Sequence, residues 1–411
     1  MLPEAVIEYT KCTGYKMSEA ILIDSNSSGQ GENIYRLAEE LKIQERKVID
    51  FSTPVNPLGV SKKVKAEIRK HVKYLHNYPD PEAKRLRRRL AQYHGINPEN
   101  ILCGNGSTEL IYLIIRALKP QKVLIPAPTF SEYERACKTS YKSQVTSFNL
   151  KKENNFDIDP DEFIQAMKKK LSNPPSPPFS KGGQGGIDDS SLITHHSSLN
   201  FDMAFLCNPN NLTGRLLRRD DVKRIADTAR EIKCYLVVDE AFIDFKPDES
   251  VIKDVEDNPY LVALRTMTNF YALSGLRIGY GVFPQHLIGR LKEYKEPWTV
   301  NSLAQRAAVV AIKDKVYKGE TCRLINEEKR FLEKSFKKMG VEFFPSNANF
   351  YLLKINSAHE IYHHLKRKGI LVRDCSNFRG LDNTYLRIAV KLHKENTILI
   401  KELTSIVQSL G

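Results

Sequence analysis

The chain has 411 residues and a formal net charge of +14, from 63 lysines and arginines against 49 aspartates and glutamates. With 41% hydrophobic and 27% charged residues it has the composition of a soluble globular protein, long enough for one large body and a smaller one. No apolar run approaches the roughly 20 residues that cross a bilayer. Residues 1–22 carry Glu4, Glu8 and Glu19 and lack an apolar signal core, and none of the seven cysteines forms a CxxC pair. The expectation is a cytoplasmic protein with reduced thiols and no membrane partner; Met17 is a second candidate start. The basic clusters Lys62-Lys63, 84–89, 168–170 and 215–219 fall on or beside amphipathic segments, and no nucleic-acid motif accompanies them. Solvated helix faces, not nucleic acid, account for the charge.

In chain order, apolar periodicity predicts a short helix over 33–41, a strand at 48–52, a turn-rich loop at 54–59 and a basic helix over 60–72. Asn77-Tyr78-Pro79-Asp80-Pro81 breaks the chain before a helix over 82–94. Short apolar strands at 101–104, 123–126, 145–150, 201–206, 234–238 and 261–264 then alternate with helices, among them 107–118, 159–171 and 220–232. That alternation predicts an α/β fold with a mostly parallel sheet and crossover helices. Residues 173–200 hold proline-rich, glycine-rich and Ser/His tracts and read as a disordered insertion. His195-His196 within it is a lone pair and reads as no metal site. From 302 onward, helices over 303–313, 322–339, 358–368 and 394–410 and strands at 341–344, 349–353, 371–374 and 385–389 predict a smaller α/β domain.

Five places carry candidate chemistry, each beside a plainer reading. Gly104-Asn105-Gly106-Ser107-Thr108 closes a strand and opens a helix, where free N–H groups and the helix dipole suit a phosphate; a simple turn fits as well. Asp239 ends an apolar strand, where open α/β sheets bind ligands, and reads as a partner for a pyridine nitrogen or as a helix N-cap. Asn211 follows another strand and offers a donor to a phenolic oxygen, or only completes an Asn/Gly turn. Phe130 offers a ring face to a cofactor or to the core. Arg387 lies in an apolar strand and needs an anionic partner, either a substrate carboxylate or a structural one.

The order of these features carries more than any one of them. The glycine loop, Pro128-Thr129-Phe130, Asn211 with Thr213-Gly214, Asp239-Glu240-Ala241-Phe242, Thr266-Met267-Thr268-Asn269, Arg277 and Arg387 together resemble the class I and II aminotransferases of pyridoxal-phosphate fold type I over nearly the whole chain. Within that superfamily, Asp50-Phe51-Ser52, Asn56-Pro57-Leu58-Gly59, Tyr78-Pro79-Asp80-Pro81, residues 126–134 and residues 372–378 look most like the branch that decarboxylates threonine phosphate to aminopropanol phosphate for cobalamin synthesis. The histidinol-phosphate aminotransferases are the next nearest branch. The resemblance implies pyridoxal 5'-phosphate as cofactor, a small phosphorylated amino acid as substrate, and a homodimer. It places Ser107, Thr108, Thr268 and Arg277 at the cofactor phosphate, with Tyr78 reaching the phosphate in the neighbouring subunit. Phe130 would stack on the ring, Asn211 would bind the ring oxygen and Asp239 the ring nitrogen. Arg387 would hold the substrate carboxylate, with Arg373 and Asn56 near the substrate and its phosphate.

The family's Schiff-base lysine falls at Asn269, whose carboxamide nitrogen is not nucleophilic. The family's N-terminal His-Gly-Gly-Asn is here Gln30-Gly31-Glu32-Asn33, and Leu212 and Ser274 stand where prolines are usual. The expectation is noncovalent cofactor binding and impaired turnover. Domain limits are expected at 1–55 for an N-terminal arm and part of the small domain, 56–300 for the large domain, and 301–411 for the remaining small domain.

Overall fold

The computed structural model describes residues 33–169 and 200–410. Cys12, both candidate starts, Gln30-Gly31-Glu32, His195-His196 and the insertion up to 199 lie outside the described residues.

Helices α1 (Ile34–Glu40), α2 (Lys62–His71) and α3 (Lys84–His94) and the short strand β1 (Ile49–Asp50) precede a βα succession. This runs β2 (Ile101–Gly104), α4 (Gly106–Leu118), β3 (Lys122–Ala127), α5 (Ser131–Ser140), β4 (Gln144–Asn149) and α6 (Pro160–Lys168). It continues with β5 (Met203–Cys207), α7 (Arg219–Glu231), β6 (Tyr235–Asp239), β7 (Leu261–Thr266), β8 (Gly279–Val282) and α8 (Gln285–Tyr294). Then come α9 (Ser302–Ala311), α10 (Lys315–Met339), β9 (Glu342–Phe343), β10 (Phe350–Lys354) and α11 (Ala358–Arg367). The chain closes with β11 (Ile370–Leu371), β12 (Arg373–Asp374), β13 (Tyr385–Ala389) and α12 (His393–Leu410).

β2 to β8 form one seven-stranded sheet in the order β2-β8-β7-β6-β5-β3-β4. Every neighbouring pair is parallel except those of β8, which runs antiparallel to both β2 and β7. Side chains alternate between the two faces of a strand, so a sheet covered on both sides needs apolar residues at every position. Leu236 and Val238 of β6 enter one core with Ala204, Leu206 and Ala263, while Val237 enters the other with Met203, Phe205 and Val262. Helix α9 supplies Ala304, Ala307, Ala308 and Val309 to the first of these cores, so the packing of the large sheet extends beyond residue 301.

A four-stranded sheet, β12-β13-β10-β9, and the parallel pair β1-β11 build a separate core from Phe51, Tyr351, Leu353, Ile361, Leu386 and Ile388. The N-terminal strand therefore packs with the C-terminal third, and the Ala389 N–H donates to Phe51 O at 2.8 Å.

The sheet class and most helices match the periodicity. Asp159 caps α6 by accepting from the N–H groups of Asp161 and Glu162, with Pro160 in the first turn. Some elements differ from the sequence expectation, and the strand expected at 371–374 is split into β11 and β12, which lie in different sheets. Helix α10 begins at Lys315, capped by Asp314, because Gly319 sits inside the helix instead of ending it. Strand β8 is glycine-rich and has no β-branched run, and α8 is short, with only Leu287, Ile288 and Leu291 buried. Among the described residues no helix is long and apolar enough to cross a membrane, and six cysteines are free.

Candidate functional site

The C-terminal edge of the large sheet gathers the chemistry. Register places Cys207 of β5 beside Asp239 of β6, Asp239 beside Leu264 of β7, and Thr266 beside Gly279 and then Gly104. Because β8 is antiparallel, its first residue lies at the same edge where the parallel strands end. Open α/β sheets bind ligands in the crevice outside such strand ends, and the candidate residues lie in the loops that leave them.

Asp239 is 3% exposed and has no cationic partner among the described residues. Its Oδ2 accepts from the Tyr133 hydroxyl at 2.7 Å and its Oδ1 from the Ala241 N–H at 3.1 Å. Burial pushes its carboxyl up to about 6, against the lowering effect of those two bonds. Tyr133 is fully buried and stacked on Phe205 at 4.7 Å, so its hydroxyl is fixed. The sequence motif 126–134 contains Tyr133, but nothing in it marks this residue as the one that holds Asp239.

Glu240, next along the chain, is directed into the other core. Arg265 Nε donates to Glu240 Oε2 at 2.7 Å, Arg265 also pairs with Asp244 at 3.3 Å, and all three are buried or nearly so. The network ties the 239–244 turn to the strand that leads into Thr268 and Asn269.

Asn210 pins the turn after β5: its Oδ1 accepts from the Leu212 and Thr213 N–H groups and its Nδ2 donates to Pro128 O. Asn211 is thereby left aimed elsewhere, with a buried Oδ1 that has no hydrogen-bond partner. Leu212, where proline was expected, is fully buried in an apolar cluster with Phe156 and Phe344.

Arg277 meets the start of α4. A Cβ built on Gly106 would lie 2.7 Å from Arg277 Nη2, so the guanidinium rests against the first turn of the helix, beside Ser107 and Thr108. Gly106 has φ +77°, which also requires glycine. A Cβ on Gly279 would lie 2.4 Å from Ser107 N and 2.7 Å from Gly106 C. Both contacts are to backbone, so Gly279→Ala is expected to displace this loop and destabilise the fold by about 1–3 kcal/mol in a denaturant titration. An arginine beside a helix N-terminus is an arrangement suited to an anion.

Thr268 and Asn269 are half-buried in the turn after β7. Thr268 donates its N–H to Thr266 Oγ1 at 3.2 Å, and the two hydroxyls are 2.8 Å apart. The Asn269 carbonyl accepts from the Asn56 N–H at 2.9 Å, while its carboxamide makes no hydrogen bond among the described residues. The side chain of Asn56 is engaged inside the protein. Its Nδ2 donates to Phe270 O at 2.8 Å and to Thr321 Oγ1 at 2.7 Å, and its Oδ1 accepts from Leu58 N–H. Asn56 thus anchors the turn that carries Asn269.

The two arginines of the C-terminal sheet are cross-strand neighbours, Arg373 opposite Arg387. Arg387 donates to the carbonyls of Asn211 and Ser52, its Nε is buried without a partner, and it makes no ion pair among the described residues. Burial, reinforced by Arg373, lowers its pKa to about 10 even though Cys375 opposes the shift. Arg373 donates to Asn377 Oδ1 and lies over the Phe378 ring. Because Arg387 grips the carbonyl of Asn211, the small sheet and the crevice are joined at this point.

Phe130 is half-buried and packs edge-on to Tyr133 with centroids 5.5 Å apart. Tyr78 stands apart from this cluster in a single chain: it is 82% exposed, packs on Trp298 at 5.2 Å and lines a cavity of about 530 Å³ with His71, Tyr74, Arg85 and Arg306.

The profile of the aminotransferase class I and II family matches residues 46–403. The chain belongs to the aminotransferase class I and II family. It is 31% identical over 389 residues to threonine-phosphate decarboxylase of Salmonella typhimurium, covering 94% of this chain and 98% of that one. Histidinol-phosphate aminotransferase of Caldanaerobacter subterraneus subsp. tengcongensis is 33% identical over 355 residues, covering 85% and 91%. The crystal structure of L-threonine-O-3-phosphate decarboxylase from Porphyromonas gingivalis superposes with a TM-score of 0.72 at 28% identity, over 88% of this chain and all of that one. The fold is that of the fold type I pyridoxal-phosphate transferases.

The residues of this class I and II chain fit the family's cofactor for binding. Asp239 is a buried carboxylate without a cation, Asn211 carries an orphaned buried oxygen, and Arg277 lies at a helix N-terminus. Covalent attachment needs an amine, and the carboxamide of Asn269 cannot supply one.

Proposed function

We propose that the protein binds pyridoxal 5'-phosphate noncovalently and takes L-threonine O-3-phosphate as its substrate class, in the manner of a cytoplasmic threonine-phosphate decarboxylase whose turnover is limited by Asn269. The observation that supports this most is Asp239, a buried carboxylate whose partners are both neutral, at the edge where three strand-end loops meet. Burying an unpaired carboxylate is unfavourable, and a protonated ring nitrogen would compensate it.

When bound, the cofactor supplies an electron sink for charge left at the substrate α-carbon. Arg277, Ser107, Thr108 and Thr268 would hold its phosphate, Phe130 its ring face and Asn211 its ring oxygen. Arg387 would take the substrate carboxylate bidentately, with Arg373 beside it for a second anionic group. Tyr78 would act in the crevice of a second copy, which makes the working unit a homodimer. Asn269 offers neither an amine for attachment nor a base to move a proton at the α-carbon. The histidinol-phosphate aminotransferase relatives support a second reading, amino transfer in the same site.

Calorimetry with pyridoxal phosphate and then with L-threonine O-3-phosphate tests the binding claim; heat from neither would end it. On an Asn269→Lys background, carbon dioxide release without a keto acid supports decarboxylation, whereas keto-acid-dependent amine loss supports transfer.

Tyr133 gives a pH test. A ring nitrogen that keeps its proton needs Asp239 ionised, so ligand binding should tighten as pH rises through about 6. Tyr133→Phe deletes the donor that holds the ionised form, so the midpoint of that binding curve should move upward by about one to two pH units, since a hydrogen bond to a charged group contributes about 1.5–3 kcal/mol. An unchanged midpoint would show that Asp239 does not face the ligand.

A further inference from the structure

Helix α11 lies far along the chain from the crevice residues of the large sheet and carries histidines that the proposed chemistry does not use. Its buried face, Ala358, Ile361 and Leu365, enters the core of the small sheet together with Leu386 and Ile388. On its outer face His359 and His363 are both exposed and one turn apart, with ring centroids 4.4 Å apart and planes at 75°. His364 points elsewhere, to Glu402 at 3.2 Å, and Lys366 pairs with Glu40 at 2.9 Å. Neither occupies the His359–His363 face.

From this pair we infer a surface chelate site for a divalent transition-metal ion with tetragonal preference, of which Cu²⁺ is the strongest-binding member. Residues four apart on a helix are neighbours, so both side chains reach one ion without unwinding the helix. A metal sits about 2.0–2.1 Å from an imidazole nitrogen, hence roughly 3.2 Å from the ring centroid. Two such arms spanning 4.4 Å subtend about 90°, the angle between adjacent ligands in square-planar or octahedral coordination. A tetrahedral ion would need centroids about 5.2 Å apart on the same arithmetic. The separation is compatible with adjacent positions in such a shell once both nitrogens turn to one ion, and Cu²⁺ heads the usual affinity order. Among the described residues no three of His, Cys, Asp and Glu gather around one point. The protein thus supplies two ligands, and water or a small anion completes the shell. Arg367, one turn beyond His363, adds a like charge that weakens binding without blocking it.

The test is titration of the full chain with Cu²⁺, read by isothermal calorimetry and by electron paramagnetic resonance. The chain used carries His195→Gln and His196→Gln, so that the second histidine pair of the sequence does not contribute. One equivalent with two-nitrogen equatorial coupling is expected. It should disappear in His359→Gln and equally in His363→Gln, and survive in His364→Gln. Both lost residues are exposed, so circular dichroism should show an unaltered fold. Retention of the equivalent in either single variant, tighter binding of Zn²⁺ than of Cu²⁺, or no stoichiometric binding at all overturns the proposal.

Discussion

On the proposed reading, Asn269→Lys is expected to give the protein a covalent, borohydride-reducible attachment to pyridoxal phosphate. The turn that would present the amine is already built. Thr266 and Thr268 close it on one side, and Asn56 holds the carbonyls of Asn269 and Phe270 on the other. The side chain at 269 is half-buried and makes no hydrogen bond among the described residues, so lysine displaces nothing that holds the fold. On the proposed reading, Arg277 at the helix N-terminus and Asp239, a carboxylate without a cationic partner among the described residues, would hold the two ends of a pyridine ring bearing phosphate. Mass spectrometry after reduction should place the adduct on residue 269 and on no other lysine. Turnover of L-threonine O-3-phosphate should rise by about 10²–10⁴-fold, the usual contribution of a positioned acid–base group. A folded lysine variant that binds pyridoxal phosphate but forms no adduct would show that the turn aims this residue away from the ring.

How much of this was legible beforehand depends on the kind of signal. The parallel sheet announced itself, because strands covered on both faces must be apolar at every position, as Leu236-Val237-Val238 is. Asp239 was legible for the same reason, as a charge at the end of such a run. β8 was not: Gly279 and Gly281 are there because backbone and the Phe283 ring come too close for a side chain, a tertiary requirement that leaves no periodicity. Tyr133 and Arg265 were illegible in function for a related cause. Each acts through a residue more than 20 positions away, Tyr133 on Asp239 and Arg265 on Glu240, and a single sequence records neither pairing. Asn56 was legible in part. Its motif placed it near the substrate, and no single sequence shows that its carboxamide is also bonded to Phe270, Thr321 and Leu58, so that it holds the turn as well.

Arg387→Met is expected to remove most of the affinity for an amino acid phosphate while leaving stability nearly unchanged. These two outcomes come apart because of how the guanidinium is buried. In the folded protein it meets two carbonyls and the Phe350 ring, but no carboxylate. Its pKa falls to about 10, so the folded state disfavours the charged form that prevails at neutral pH. The corresponding strain is on the order of 3 kcal/mol and is relieved as pH rises through 10. Methionine removes that strain and keeps much of the volume, but leaves the carbonyls of Ser52 and Asn211 short of a donor, each at about 1–3 kcal/mol. The opposing effects should nearly cancel, giving a change in unfolding free energy below about 2 kcal/mol. Binding has no such compensation. Deleting one partner of a buried, hydrogen-bonded charge pair weakens association by about 2–5 kcal/mol, or roughly 30- to several-thousand-fold. Calorimetry with L-threonine O-3-phosphate and a denaturant titration of the same variant read the two quantities separately. A large loss of stability with unchanged binding would make Arg387 a strut between the small sheet and the Asn211 turn, and would move the carboxylate site to Arg373.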